Sequence, residues 1–221
     1  MTSTPREFTA SGMALRTAAI LFLFVIVFTG LLSAAYQWTK PSIEASALAE
    51  KMKLLNEVLP AADYDNNLLD DSLLLPPTPE LGLKEASTLY RARKAGQPAA
   101  LIFEAAAPDG YAGRIRLLIA VRADGKVAGV RVTQHKETPG LGDYIDPRKD
   151  KNKTAPWIDQ FVGLSLASAG DKAWRVRKDG GRLDYHAGAT VSPRAVAKAV
   201  QRAVRWVDGE RDRLFSEGKQ P

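Results

Sequence analysis

The sequence predicts an α+β fold in which a single N-terminal transmembrane helix precedes a domain of antiparallel hairpins covered by helices. Three observations carry this reading. An uncharged apolar run extends from Thr17 to Thr39, paired stretches with a two-residue hydrophobic period lie between Thr88 and Thr133, and an amphipathic helical stripe begins at Pro193. At 221 residues, 45% hydrophobic and 25% charged, the chain has room for one medium domain and an appendage, and a collagen-like, wholly disordered or many-span protein is excluded. The absence of cysteine rules out a disulfide scaffold, a thiolate zinc site and an iron–sulfur cluster held by this chain. A net charge of +6 is spread along the sequence and reads as a solvated basic surface.

Within the apolar run, Ile20 to Phe28 is continuously hydrophobic, and Arg16 and Lys40 bracket the whole stretch. At about 1.5 Å per residue, roughly 20 residues cross a hydrocarbon core of about 30 Å, and Tyr36 and Trp38 fall where an interfacial aromatic belt belongs. Ser33-Ala34-Ala35 resembles a cleavage site, but the run exceeds the roughly 7–15 apolar residues of a signal peptide, so an uncleaved anchor is expected. Arg6 and Arg16, offset by Glu7, predict a cytoplasmic N-terminus and an exported C-terminal domain, periplasmic in a Gram-negative inner membrane. The expected division is a cytoplasmic segment 1–16, a transmembrane helix 17–39, a helix and connecting loop 40–85, a folded domain 86–210 and a tail 211–221.

Pro41 suits the first turn of a second helix reaching Leu59, with Ile43, Ala47, Leu54, Leu55 and Val58 near helical spacing. Asp63 to Leu83 is rich in Asp, Pro and Gly and reads as a loop, interrupted by Leu73-Leu74-Leu75, that wraps onto the core. Thr88–Ala92 and Ala99–Ala105 flank Lys94-Ala95-Gly96-Gln97 as one hairpin, and Arg114–Arg122 and Val127–Thr133 flank Asp124-Gly125 as another. Ile115, Leu117, Ile119 and Val121 define a buried face, whereas Arg114, Arg116 and Arg122 predict a partly solvated opposite face. Helix is expected again at Trp157–Leu166 and from Pro193 to about Val207, where Val196, Val200, Val204 and Val207 share one stripe. Regular strand-helix alternation is missing, which excludes a doubly wound nucleotide fold.

Two segments carry more chemistry than a turn needs. In His135 to Gly142, Pro139 with Gly140 and Gly142 exposes backbone N–H groups, and Glu137 and Thr138 add a carboxylate and a hydroxyl. The ordinary connecting turn is the competing reading. In Asp184 to Pro193, Ser192 reads as the N-cap and Pro193 as the first residue of the last helix, leaving Thr190 just outside a helix start that favours anions, with Arg194 nearby and small residues at Gly188 and Ala189. A plain capped helix is the alternative. His135 and His186 are the only histidines and have no ligand spacing, so no metal is expected. Arg148 to Lys153 reads as a solvated loop, not a nucleic-acid surface, and Trp157 and Phe161 as packing partners on one helix face. No nucleophile motif supports hydrolase chemistry.

Taken together, the anchor, Gly110-Tyr111-Ala112-Gly113-Arg114-Ile115, Asp124 to Val130, His135 to Gly142, Trp157 to Phe161 and Asp184 to Ser192 resemble the G subunit of the Rnf, or Rsx, electron-transport complex. They are more distantly similar to the C subunit of the sodium-translocating NADH:quinone reductase, which is generally longer. The resemblance covers most of the chain. It implies FMN attached covalently by a phosphoester to threonine in an Asp-x-x-(Ser/Thr)-Gly-Ala-Thr motif, which falls here on Asp184, Ala187, Gly188, Ala189 and Thr190. Ala187 replaces the usual hydroxyl residue. Cofactor contacts are expected from Thr190, Asp184, Gly188, Ala189 and Ser192, and from Glu137, Thr138, Gly140, Leu141 and Gly142. No catalytic residue is expected.

The resemblance further implies an electron relay within an ion-translocating oxidoreductase that couples electron flow between reduced ferredoxin and NAD to Na⁺ or H⁺ movement. The partners it implies are the other membrane subunits and a magnesium-dependent flavin transferase that uses FAD. Two alternatives compete with this reading: the quinone-reductase subunit, and a non-redox anchored binding or assembly module.

Overall fold

The structure is a computed structural model and describes residues 10–167 and 169–216. Residues 1–9, including Arg6 and Glu7, and residues 217–221 of the expected tail lie outside the described residues. The chain divides into two compact units, Met1–Met52 and Lys53–Pro221. Helix α1 spans Ala10–Val58, and its residues 10–51 are all exposed. It is long and apolar enough to cross a membrane.

The expected break at Pro41 is absent, because Pro41 lies inside α1. A proline removes one intrahelical hydrogen bond, and the helix carries that loss. The Thr39 hydroxyl supplies a local bond to the Ala35 carbonyl (2.9 Å) in the turn before it.

In the second unit, β1 (Ser72–Leu75), β2 (Ser87–Lys94), β3 (Gln97–Gly110), β4 (Gly113–Arg122) and β5 (Val127–Gln134) form one antiparallel sheet in sequential order. Both predicted hairpins are present. Ala95 and Gly96 turn the first with φ of 50° and 75°, and the Ala95 N–H donates to Asp65 Oδ2 at 2.8 Å, which holds a non-glycine residue in the left-handed region.

The Leu73-Leu74-Leu75 stretch is a strand, not part of a wrapping loop. Leu73 and Leu75 are buried and Leu74 is exposed, the alternation of an edge strand, and four residues are too few for the sequence pattern to declare itself.

The sheet is covered on both faces. Phe103, Ile119 and Val130 lie in one cross-strand row beneath helix α2 (Val191–Ser216), whose Val196, Val200, Val204 and Val207 are buried. Tyr90, Ile102, Ala120 and Gly129 form a register row on the other face, and a Cβ on Gly129 would stand 2.4 Å from the Val58 carbonyl oxygen. The face that carries Arg114, Arg116 and Arg122 is partly solvated at those arginines, as expected, while Leu118 and Ala120 between them are buried.

Helix α2 also runs past Val207 to Ser216. Asp71 receives Arg91 Nε and Arg93 Nε at 2.7 Å each, and the same guanidinium groups donate to the Leu214 and Phe215 carbonyls at 3.4 and 3.0 Å. These cations complement the negative end of the helix dipole.

Between β5 and α2 the chain is built from turns. The helix expected over Trp157–Leu166 is a 3₁₀ segment, Trp157–Phe161. It stops because the chain folds back on β5, with Gly163 N–H to Val127 O and Val127 N–H to Leu164 O, both 2.8 Å.

Two glycines separate backbone approach from helix propensity. Gly129→Ala is expected to lower stability by roughly 1–3 kcal/mol through overpacking against Val58. Gly209→Ala, with open space around it inside α2, is expected to raise stability by roughly 0.5–1 kcal/mol. Denaturant unfolding of the two variants measures both signs.

Candidate functional site

Beyond β5, the His135 imidazole Nδ1 accepts the Glu137 N–H at 3.1 Å and starts a tight loop. Gly140, at φ 74°, and the Leu141 and Gly142 amides donating to the Thr138 carbonyl close it. The loop turns Glu137 inward until it is only 4% exposed. There its Oε2 accepts the Ser192 hydroxyl at 2.6 Å and its Oε1 accepts the Ala112 N–H at 3.2 Å. Three separate segments thus meet on one carboxylate. Glycine is needed beside it: a Cβ at Gly110 would lie 2.8 Å from Glu137 Oε1, and one at Gly142 would lie 2.8 Å from Ser192 Oγ.

The second segment reaches the same place through side-chain bonds. Trp157 Nε1 donates to the Asp184 carbonyl at 2.6 Å, and the Asp184 N–H donates to Gln160 Oε1 at 2.8 Å. Next, the Tyr144 hydroxyl donates to the Ala189 carbonyl at 3.1 Å and accepts the His186 N–H at 3.2 Å. Burial pushes the Tyr144 phenol above its ordinary range, against the opposing pull of the His186 N–H, so it stays a donor at neutral pH. Gly188 turns the chain at φ 84°, and α2 begins at Val191.

Helix α2 therefore starts earlier than expected, and Ser192 is not its N-cap. Thr190 holds the position before the first helical residue, and the Ser192 hydroxyl is committed to Glu137. Pro193 still sits in the first turn, where its missing N–H costs nothing.

A cavity of about 110 Å³ lies between these segments. Glu137, Thr138, Leu141 and Gly142 form one wall, Gly188 to Ser192 form another, and Tyr111 from the β3–β4 turn completes it. Asp184 and Gly140 do not line it. The Asp184 carboxylate is exposed and pairs with Arg177 at 3.0 Å, and Gly140 serves the loop turn. Nor does Arg194 contribute charge there, since its guanidinium holds Asp179 at 2.5 and 2.6 Å.

Tyr111 and Val191 also line the cavity, although the sequence reading did not place them in the site. Tyr111, 69% exposed, stands at the tip of a two-residue turn, and an aromatic there is a signal the sequence does carry. With Leu141 and Val191 it gives the cavity an exposed apolar rim.

The cavity joins a threonine hydroxyl, the positive end of a helix dipole and a small-residue turn with open space at Gly188. These features fit a phosphate at Thr190, and the apolar rim fits a planar heterocycle. At about 110 Å³ the cavity is below the roughly 300–1,000 Å³ typical of an enclosing ligand pocket, so a larger ligand would have to extend across the rim. Trp157 and Phe161 pack edge to face at 5.5 Å in the core and do not line the cavity.

Among relatives, residues 110–205 match the FMN-binding domain and residues 11–58 match the RnfG N-terminal region. The chain is 45% identical over 202 residues to the G subunit of the ion-translocating oxidoreductase complex of Pseudomonas aeruginosa strain UCBPP-PA14, covering 91% of this chain and 92% of that protein. The proteins of the same description from Shewanella baltica strain OS223 and Aliivibrio fischeri strain ES114 are 42% and 41% identical, covering 91% and 90% of this chain and 93% and 92% of theirs.

Below the loop, burial raises the Asp146 carboxyl, but the side-chain and backbone hydrogen bonds of Arg148, with its charge, bring it below its ordinary 3.8. A depressed folded value contributes stability that is present above the ordinary range and lost as pH falls through the folded value. Thermal unfolding midpoints should decline on acidification below about pH 4. Asp146→Asn should lower the midpoint at neutral pH and flatten that acid limb.

Proposed function

The chain belongs to the family of G subunits of ion-translocating oxidoreductase complexes, and from that premise we propose that it relays electrons through FMN carried on Thr190. The observation that carries the proposal is the convergence of the Glu137–Gly142 loop and the Gly188–Ser192 segment on one cavity at the head of α2.

Thr190 Oγ is the attachment atom for the flavin phosphate. The α2 start supplies the positive dipole end, and its first-turn amides have no intrahelical acceptor. Gly188 and Ala189 add little bulk beside Thr190, and Val191, Tyr111, Thr138, Leu141 and Gly142 line the rest of the cavity that would hold the cofactor. Glu137 positions the loop through Ser192 and Ala112 and places a negative group beside the site. Asp184 acts at a distance through its backbone bonds to Trp157 and Gln160, and Gly140 through the loop turn. When bound, FMN supplies reversible electron acceptance and donation, and the protein sets its potential by burial, hydrogen bonding and charge. No side chain is assigned a catalytic role.

In this reading α1 anchors the protein in the bacterial inner membrane with the N-terminus cytoplasmic and the flavin domain periplasmic. Its partners are the other Rnf/Rsx subunits, and a magnesium-dependent flavin transferase installs FMN from FAD. The complex couples this electron flow to Na⁺ or H⁺ translocation. A covalent bond has a physical use outside the cytoplasm, where a dissociated flavin is lost by dilution. The match of residues 11–58 to the RnfG N-terminal region favours this assignment over the quinone-reductase C subunit, and a non-redox module would be colourless.

Thr190→Ala is expected to yield a folded, membrane-bound protein with no flavin fluorescence on a denaturing gel, after expression with the transferase. Persisting fluorescence would reject Thr190. Tyr111→Ala is expected to leave attachment intact but raise the anisotropy decay rate of the bound flavin, because an exposed ring contact is lost.

A further inference from the structure

The hairpin that presents Thr190 is shut. Thr190 is 8% exposed, Ala189 7% and Ser192 2%, and the adjoining cavity measures about 110 Å³. With Thr190 8% exposed, a dinucleotide donor and a transferase active site have little access to it in this arrangement. Yet His186, Ala187 and Gly188 just before it are exposed, and Gly188 supplies a left-handed pivot.

The tether that keeps this exposed turn down is local. Its internal bond, Ala189 N–H to His186 O at 3.0 Å, closes the turn on itself and does not fix it to the domain. Asp184 is anchored on one side by Trp157 and Gln160, and α2 begins on the other. Between them, among the described residues, the hydrogen bonds from the turn to the rest of the domain are those of the Tyr144 hydroxyl, one to the Ala189 carbonyl and one from the His186 N–H. The Tyr144 ring also stacks on the His186 imidazole, with centroids 3.8 Å apart and planes 26° apart, and packs edge-on against Trp157 at 5.8 Å. Tyr144 itself is buried and does not line the cavity, so it acts through the backbone of the turn.

We propose that Tyr144 is a positioning residue that latches the 186–189 turn, and that flavin transfer to Thr190 requires this latch to open. The proposal rests on Thr190 being the attachment site. Opening swings the turn between the Asp184 anchor and α2 and exposes Oγ. Transfer then forms the Thr190 Oγ–phosphorus bond to the FMN half of FAD and breaks the pyrophosphate P–O bond. AMP leaves, and the hydroxyl proton passes to a base of the transferase. Reclosure of the same two hydrogen bonds seats the modified threonine.

The test uses the full chain in detergent, first without flavin. In Tyr144→Phe, which keeps the ring and its stacking, amide exchange at His186 is expected to rise at least tenfold while amides of β3 and β4 keep their protection. With FAD, Mg²⁺ and the transferase, the initial rate of flavin incorporation is expected to rise several-fold. His186→Ala, which removes the stacked ring but leaves both hydroxyl bonds, should raise the rate less. Unchanged exchange at His186, an unchanged or slower incorporation rate, or loss of protection spread through β3 and β4 would each overturn the latch. If exchange at His186 rises but the peptide carrying Thr190 gains no mass in either protein, the attachment reading fails while the tether of the turn stands.

Discussion

The hydrogen bond between the Ser192 hydroxyl and the Glu137 carboxylate is the constraint on which the site depends. It spans 55 positions of sequence and joins the loop after β5 to the first turn of α2. A carboxylate at that depth is costly unless donors surround it, and the Ala112 N–H and the positive end of α2 complete the set. Its demands then spread outward. A Cβ at Gly142 would collide with Ser192 and Glu137, and one at Gly110 with the Gly113 carbonyl oxygen first and then with Glu137 and Ile115. Losing either partner would leave a buried polar group unsatisfied and free the two walls of the cavity to drift apart.

The sheet supplies the rigidity this junction needs. Covered on one side by α2 and met on the other by Val58, which lies against Gly129 of β5, the sheet holds its register, because a one-residue slip would send every side chain to the opposite face. The β3–β4 turn bearing Tyr111 and the exit of β5 are therefore fixed relative to one another. The far end of α2 is held as well, through Arg91 and Arg93 on Asp71. A buried ion pair of this kind contributes less to net stability than to fixing one arrangement, since desolvation offsets much of its attraction.

An exposed rim suits an electron relay. A ligand across Tyr111, Leu141 and Val191 would stay near the surface, and electron transfer needs closeness to a partner more than acid-base side chains. The hydroxyl that would carry such a ligand is nonetheless sunk, so presentation of the ligand and access to its anchoring atom make opposite demands on the same turn. Tyr144 sits where those demands meet.

Much of this was legible from local pattern. The apolar run before Lys40, the two hairpins about Ala95-Gly96 and Asp124-Gly125, and the valine stripe of α2 each follow from periodicity and turn chemistry within a short window. So did the chemical character of Glu137 to Gly142 and of Gly188 to Thr190. Other features were not readable, because they depend on partners far away in sequence. The strand at Leu73 needs β2 beside it, the continuation of α1 through Pro41 overrides a local breaker, and the need for glycine at 129 comes from Val58 at the end of α1. Asp184 and Arg194 look equally apt for the cavity by position, yet Arg177 and Asp179 draw their charges elsewhere. By itself the sequence determined the apolar anchor, the two hairpins and the last helix, with the chemistry available to them, since backbone preference and amphipathic period act over a few residues. Only the tertiary structure decided that Glu137 meets Ser192, that Tyr144 holds the turn and that Thr190 lies recessed, because hydrogen bonds across 42 to 55 positions exist only once the sheet has brought their ends together.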